Sequence, residues 1–160
     1  MHIGIDGSRC NLDKTTGVER YSLLVLPPLI RELHSRGHKV TVYAREKSEL
    51  FAGATVRVSK LNYLWSHLFL GPKAQLDGVD CLFVPSHVLP VCRPKRSVLF
   101  VHDVCFENYP QAYVFWERWY LRLTTGNAAR NAKIITHSNA TKNIIKNIFG
   151  AKNVFGVNPA

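Results

Sequence analysis

The chain has few acids: 11 Asp and Glu stand against 21 Lys and Arg in 160 residues. It also lacks a long apolar run near either end, so no transmembrane span and no cleavable leader is expected; Met1-His2-Ile3-Gly4-Ile5-Asp6 reads instead as a strand. Its four cysteines, Cys10, Cys81, Cys92 and Cys105, show neither C-x-x-C spacing nor regular spacing to histidines. A reduced, cytosolic protein is therefore expected rather than a disulfide scaffold or a zinc site. No G-x-G-x-x-G follows the first strand and the P-loop lysine motif is missing, which counts against NAD and ATP. No carboxylate pair resembles an acid/base dyad, and Ser8, Ser86 and Ser138 lack a nucleophile-elbow context. Internal repeats and low-complexity linkers are absent.

What is present suffices for a core. Hydrophobic residues make up 46% and charged residues 20%, which excludes a disordered chain and fits one globular domain. The formal net charge of +10 leaves phosphates, nucleic acid and anionic lipid open as partners. That charge is uneven: eleven Lys/Arg face eight Asp/Glu in residues 1–80, but ten face three in residues 81–160.

Strand and helix signals alternate along the chain. Strands are expected at 3–6, 38–44, 55–58, 79–85, 97–102, 133–136 and 153–157. Between them, Tyr21, Leu24, Val25, Leu29 and Leu33 recur at helical spacing, and Gly37 follows a cationic last turn, as at a helix C-terminus. Pro27-Pro28 falls inside that helix, where a break or sharp kink is expected. Leu61, Leu64, Trp65, Leu68 and Phe69 form an apolar stripe that Gly71-Pro72 is expected to close. Helices are also expected over 113–129 and 139–149, the latter ending at Gly150. The alternation predicts an α/β, Rossmann-like, doubly wound domain with a mostly parallel sheet of about seven strands.

In such a fold, ligands meet the residues just past the strand ends. The first strand runs into Asp6-Gly7-Ser8-Arg9, and the loop Lys14-Thr15-Thr16-Gly17-Val18 opens into the first helix. Its backbone N–H groups suit a phosphate, or Thr15 or Thr16 simply caps the helix. The fourth strand ends at Ser86-His87 and the fifth at His102-Asp103. A histidine there either binds a strand-end carbonyl or offers a ligand a group that titrates near neutrality. The sixth strand leads to His137-Ser138, with Ser138 as a helix N-cap and Thr141 in the first turn. The chemistry reads as anion and polyol binding in a cleft.

At these residues the chain resembles a known family. Ile3-Gly4-Ile5-Asp6-Gly7-Ser8-Arg9, Thr16-Gly17-Val18-Glu19-Arg20-Tyr21 and Arg36-Gly37-His38-Lys39-Val40 resemble the start of family-4 (group 1) glycosyltransferases. Phe83-Val84-Pro85-Ser86-His87-Val88-Leu89-Pro90, Val101-His102-Asp103-Val104-Cys105-Phe106 and Ile134-Ile135-Thr136-His137-Ser138-Asn139-Ala140-Thr141-Lys142 follow in the family's order. The resemblance implies a GT-B fold, two Rossmann-like domains facing a cleft, and retaining transfer from a nucleotide-diphosphate sugar without a metal or other cofactor. It further implies that residues 1–160 are the N-terminal, acceptor-side domain, inactive alone, with the donor-binding domain absent.

On this resemblance His102 and Asp103 are the candidate catalytic residues. Gly7, Arg9, Thr16, Gly17, Arg20, His87, Ser138 and Thr141 are the candidate substrate-binding set. The implied partners are a glycan or lipid-linked acceptor and the donor domain, in a cytoplasmic protein. The 61–70 stripe either packs on the sheet as a core helix, the favoured form, or lies on the inner membrane face and meets a lipid-linked acceptor. Nucleic acid is not an expected partner under this reading. A second reading from another class is a stand-alone basic Rossmann-like module that binds a nucleotide or RNA without catalysis. The aromatic-basic run Phe115-Trp116-Glu117-Arg118-Trp119-Tyr120-Leu121-Arg122 offers rings for stacking, although a helix with buried aromatics and solvated arginines is the expected form.

Overall fold

The computed structural model describes residues 1–10, 16–61, 63–86 and 88–157. Seven strands form a single sheet: β1 (His2–Asp6), β2 (Lys39–Ala44), β3 (Thr55–Val58), β4 (Cys81–Val84), β5 (Arg96–Phe100), β6 (Lys133–Thr136) and β7 (Val154–Gly156). All six pairings are parallel, in the spatial order β3-β2-β1-β4-β5-β6-β7. This is the expected doubly wound α/β architecture. Its helices are α1 (Gly17–Ser35), α2 (Gly71–Leu76), α3 (Cys105–Asn108), α4 (Phe115–Asn131) and α5 (Asn139–Phe149). Among the described residues, no helix is long and apolar enough to cross a membrane.

Side-chain alternation along the strands divides the core in two. Ile5, Val40, Val42 and Ala44 face Leu26 and Ile30 of α1 and Phe51. On the other face, Tyr43, Leu82, Val84, Leu99 and Ile134 pack with Leu70, Ala74, Ala128 and Ile145 from α2, α4, α5 and the turn before α2. Each fully buried Leu or Ile contributes about 1.5–3 kcal/mol relative to exposure.

The expected break at Pro27-Pro28 is absent, and α1 runs through both prolines for 19 residues. The second ring and Leu24, whose carbonyl would have accepted its missing N–H, lie on the exposed side where water can serve that carbonyl. Leu26 and Ile30, on either side of the pair, anchor both halves in the core. The helix ends as its sequence predicts: Gly37 adopts φ +76°, with His38 N–H donating to the Leu33 carbonyl and Gly37 N–H to that of His34.

Gly71-Pro72 does not close the helix after the apolar stripe either. A π-helical stretch, Ser66–Leu70, continues straight into α2. Gly71 is needed for packing, since a Cβ there would lie 1.9 Å from the Cys92 carbonyl oxygen. Pro72 has no N–H to continue the ladder, and the run passes from π to α geometry beside it, with Gly71 N–H donating to the Ser66 carbonyl. The stripe itself divides: Trp65 is buried and Phe69 packs on the core, while Leu61, Leu64 and Leu68 stay exposed.

In α4 the expected burial of aromatics is overturned. Its buried residues, Thr124, Thr125, Gly126, Ala128 and Ala129, all belong to the second half. In the first half Phe115, Trp116 and Trp119 are exposed at 68%, 72% and 53%.

Candidate functional site

The chain leaves β1 toward β2 and β3 on one side, while β4 to β7 build outward on the other. The loops after β1 and β4 therefore diverge and leave a crevice at the carboxyl ends of the strands. A cavity of about 520 Å³ lies there.

Asp6, the last residue of β1 and fully enclosed, ties the two loops together. Its carboxylate accepts the Ser8 backbone N–H at 2.9 Å and the Ser86 hydroxyl at 3.5 Å. Burial pushes its carboxyl above the ordinary range, against the pull of the Ser8 and Ser86 bonds and the Arg9 charge. Asp6 is thus a positioning group, shaping the cavity from beneath.

The head of α1 is built by Glu19. Its carboxylate accepts the Thr16 backbone N–H at 3.2 Å and the Thr16 hydroxyl, and its other oxygen meets Arg9 Nη1 at 3.4 Å. Burial opposes ionisation of Glu19, yet these Thr16 contacts and the Arg9 charge hold it below the usual carboxylate range. One side chain thereby fixes both the β1 loop and the helix N-terminus.

The cavity has two unlike walls. Ser8, Arg9, Thr16, Val18, Glu19, Arg45 and Ser86, from the strand-end loops and the head of α1, are mostly polar. Leu64, Trp65, Ser66, Tyr120 and Leu121, from the segment before α2 and from α4, make a mostly apolar wall, with Val88 past β4. Arg45 is the first residue past β2, and its Nη1 donates to the Leu61 carbonyl at 3.2 Å. Leu64 sits at φ +50°, a left-handed conformation that a leucine adopts at a cost of roughly 1–2 kcal/mol. Its carbonyl begins the next helical turn by accepting from His67 and Leu68 N–H. His67 holds the apolar wall to α4: its Nδ1 accepts the Val91 N–H at 3.3 Å, so Nε2 carries the proton and donates to Tyr120 Oη at 3.0 Å.

Of the predicted residues, Arg9 and Thr16 line this cavity, and Gly7 borders a smaller adjoining one with Ser8 and Arg45. Gly7 is also required by packing, because a Cβ would stand 2.6 Å from Val42 Cγ1. Gly17 opens α1 in free space, and Arg20 is exposed on its first turn. His102 stands beside the cavity: its Nε2 donates to the Pro85 carbonyl at 2.9 Å, one residue before Ser86. The imidazole is enclosed by Tyr21, Phe100 and His137, with ring centroids 4.9, 4.9 and 5.5 Å away. Burial lowers its proton affinity, with a smaller push from His137, against the Pro85 carbonyl and Asp103.

Other predicted residues serve local structure. Asp103 is exposed, and its Oδ1 accepts the Cys105 N–H at 3.0 Å at the head of α3. Ser138 caps α5 as expected by accepting the Thr141 N–H at 3.1 Å, and its hydroxyl meets that of Thr141. The prediction for His87 lies outside the described residues.

Arg45, Ser86 and Tyr120 were missing from the sequence-derived set. Arg45 carries a readable signal, since it follows β2 directly and the strand-end rule applies to every strand. Tyr120 belongs to the aromatic-basic run read as a stacking surface, but only the packing of α4 brings it to the crevice. Among the described residues, no group of three or more His, Cys, Asp or Glu is placed to hold a metal ion. No protein-family model matches the chain, and no curated protein matches it.

Proposed function

We propose that this chain is the acceptor-side domain of a retaining GT-B glycosyltransferase that moves a sugar from a nucleotide-diphosphate sugar to a glycan or lipid-linked acceptor. The observation that carries the reading is the convergence of Arg9, Thr16, Ser86 and, behind Pro85, His102 at the point where the strand order reverses. Among the described residues that edge offers hydroxyls, guanidinium groups and a neutral imidazole, which suit a sugar and its phosphates, but no nucleophile in a catalytic setting. Glu19 and Asp6 are occupied in holding this edge together, so the transferred sugar and leaving phosphate must be activated largely from a second, donor-binding domain facing it.

In this reading His102 faces the transferred sugar. Its Nε2–H is committed to Pro85, which sets the ring's orientation, and the enclosing rings keep it neutral. Gly17 leaves the N-terminus of α1 open to the donor phosphates. The apolar wall and the exposed Leu64, Leu68, Trp116 and Trp119 beside it suit a lipid-linked acceptor reached at a membrane surface. Trp116, Trp119, Tyr120 and Leu123 share one face of α4 by their spacing.

The test is sugar transfer by the full natural protein containing this sequence, assayed across nucleotide-diphosphate sugars. Transfer is expected, and His102→Ala, with folding verified by circular dichroism, is expected to abolish it. Normal turnover by that variant would remove the role given to His102, and salt-sensitive RNA binding without any transfer would replace the reading altogether.

A further inference from the structure

A second cavity, of about 390 Å³, lies at the opposite edge of the sheet, where β4, β5 and β6 begin. Lys95, Arg96, Arg130 and Lys133 line it together with Asn131 and Asn153, and among the described residues no carboxylate does. The strand register explains the gathering. Cys81 pairs with Arg96 and Val98 pairs with Lys133, so Cys81, Arg96 and Lys133 emerge on one face of the sheet. Helices α4 and α5 pack on the other face, and the last turn of α4 brings Arg130 to the same edge. The charges are felt locally: burial raises the proton affinity of the Cys81 thiol, while Arg96 and Lys133 both pull it down.

Arg96 and Lys133 stand diagonally on neighbouring strands, where like charges repel, an effect that salt weakens because all four side chains are exposed. The C-terminal dipole of α4 accounts for one cation, Arg130. Lys95, Arg96 and Lys133 belong to no helix. Among the described residues none of the four forms an ion pair. Asp80, next to Cys81, lies outside the lining, and its carboxylate accepts the His2 backbone N–H at 2.7 Å. The cluster also gives a location to part of the basic excess that the sequence carries after residue 80.

We propose that this cavity binds a small polyanion bearing a diphosphate or triphosphate group. Two arginines offer planar forks and two lysines offer point charges, the pairing that phosphate oxygens accept best. Four cations match a polyphosphate better than a monophosphate, which carries about two negative charges. Among the described residues the lining contains no aromatic ring on which a base would stack, which favours a small anion over a nucleic acid strand. The site uses other residues than the crevice at the far edge, and it stands or falls independently of the transfer proposed there.

The protein is titrated with inorganic pyrophosphate and tripolyphosphate, and with phosphate, sulfate and chloride at matched ionic strength, by calorimetry and thermal melting. Pyrophosphate and tripolyphosphate are expected to bind at least about tenfold more tightly than phosphate or sulfate. The double variant Arg96→Gln/Lys133→Gln is expected to lose that binding, yet to melt at a higher temperature than the parent in ligand-free, low-salt buffer. Arg31→Gln, on the exposed face of α1, is expected to change neither. Equal stabilisation by sulfate or chloride would reduce the effect to general screening and overturn the proposal. Unchanged pyrophosphate binding in the double variant, an equal loss in Arg31→Gln, or preferential binding of a short RNA would overturn it as well. If the double variant does not fold, Arg130→Gln alone supplies the same readout, and its undiminished binding would count against the site.

Discussion

His102 Nε2 donates to the carbonyl oxygen of Pro85 at 2.9 Å, so the ends of β5 and β4 are joined by a half-buried imidazole. Burial holds its folded-state proton affinity below the ordinary value of 6.5, and burial shifts His67 the same way. Below pH 6.5 the unfolded chain therefore takes up protons that the folded chain does not. The stability these two histidines contribute is expected to be full above pH 6.5 and to fall as the pH drops beneath it. The raised Asp6 carboxyl works in the opposite sense from its ordinary 3.8 upward. In His102→Gln, whose amide can still donate to Pro85, part of that slope is expected to disappear and the His67 part to remain. Urea unfolding on both sides of pH 6.5 decides this, and identical slopes in parent and variant would refute it.

Glu19→Ala removes the partner of Thr16 and Arg9 at the head of α1. By analogy with lost helix caps, it is expected to cost about 1 kcal/mol. Because the folded Glu19 carboxyl lies below its ordinary 4.5, the stabilisation is present above that value and lost as the pH falls through the folded pKa. Chemical denaturation of parent and variant at neutral and acid pH should show the difference closing as the medium becomes acid.

Two glycines separate packing from binding. Gly71→Ala places a methyl group 1.9 Å from the Cys92 carbonyl oxygen and is expected to cost about 3 kcal/mol or more. Gly17→Ala meets nothing within 4 Å, so the melting temperature should hardly move. A large loss of donor-sugar binding in a normally stable Gly17→Ala full-length protein would support the phosphate role proposed for the head of α1. Unchanged binding would argue against it.

Trp116→Ser/Trp119→Ser alters two rings that are mostly in solvent, so stability should stay within about 0.5 kcal/mol per site. Vesicle flotation with anionic lipid is expected to recover the parent protein and to lose most of the double variant. If the parent itself fails to float, the membrane contact proposed for this face is wrong.

Much of the fold was legible because strand and helix patterns are local. Lys133–Thr136 and Asn139–Phe149 lie where their periodicity predicts, and Gly150 takes the left-handed conformation that ends the second of these. The misreadings share one cause. Pro27-Pro28 and Gly71-Pro72 are breakers by local propensity, yet α1 continues on the strength of Leu26 and Ile30, and Gly71 answers to a backbone segment 21 positions later. Similarly, the aromatics of α4 are expected inside, but the helix buries only its second half, through small residues and threonines.

The candidate site divides along the same line. The amino-acid order by itself determined which residues follow the strands, because alternation and capping act over a few neighbours: Asp6-Gly7-Ser8-Arg9, Ser86, His102 and the Ser138 cap were readable in that way. Tertiary structure alone decided that Asp6 reaches Ser86 across 80 positions, that Tyr120 closes the crevice, and that Arg96, Arg130 and Lys133 share a cavity at the far edge. Those arrangements depend on the order and register of parallel strands joined by long crossovers, and no pattern within a single segment encodes which strands become neighbours.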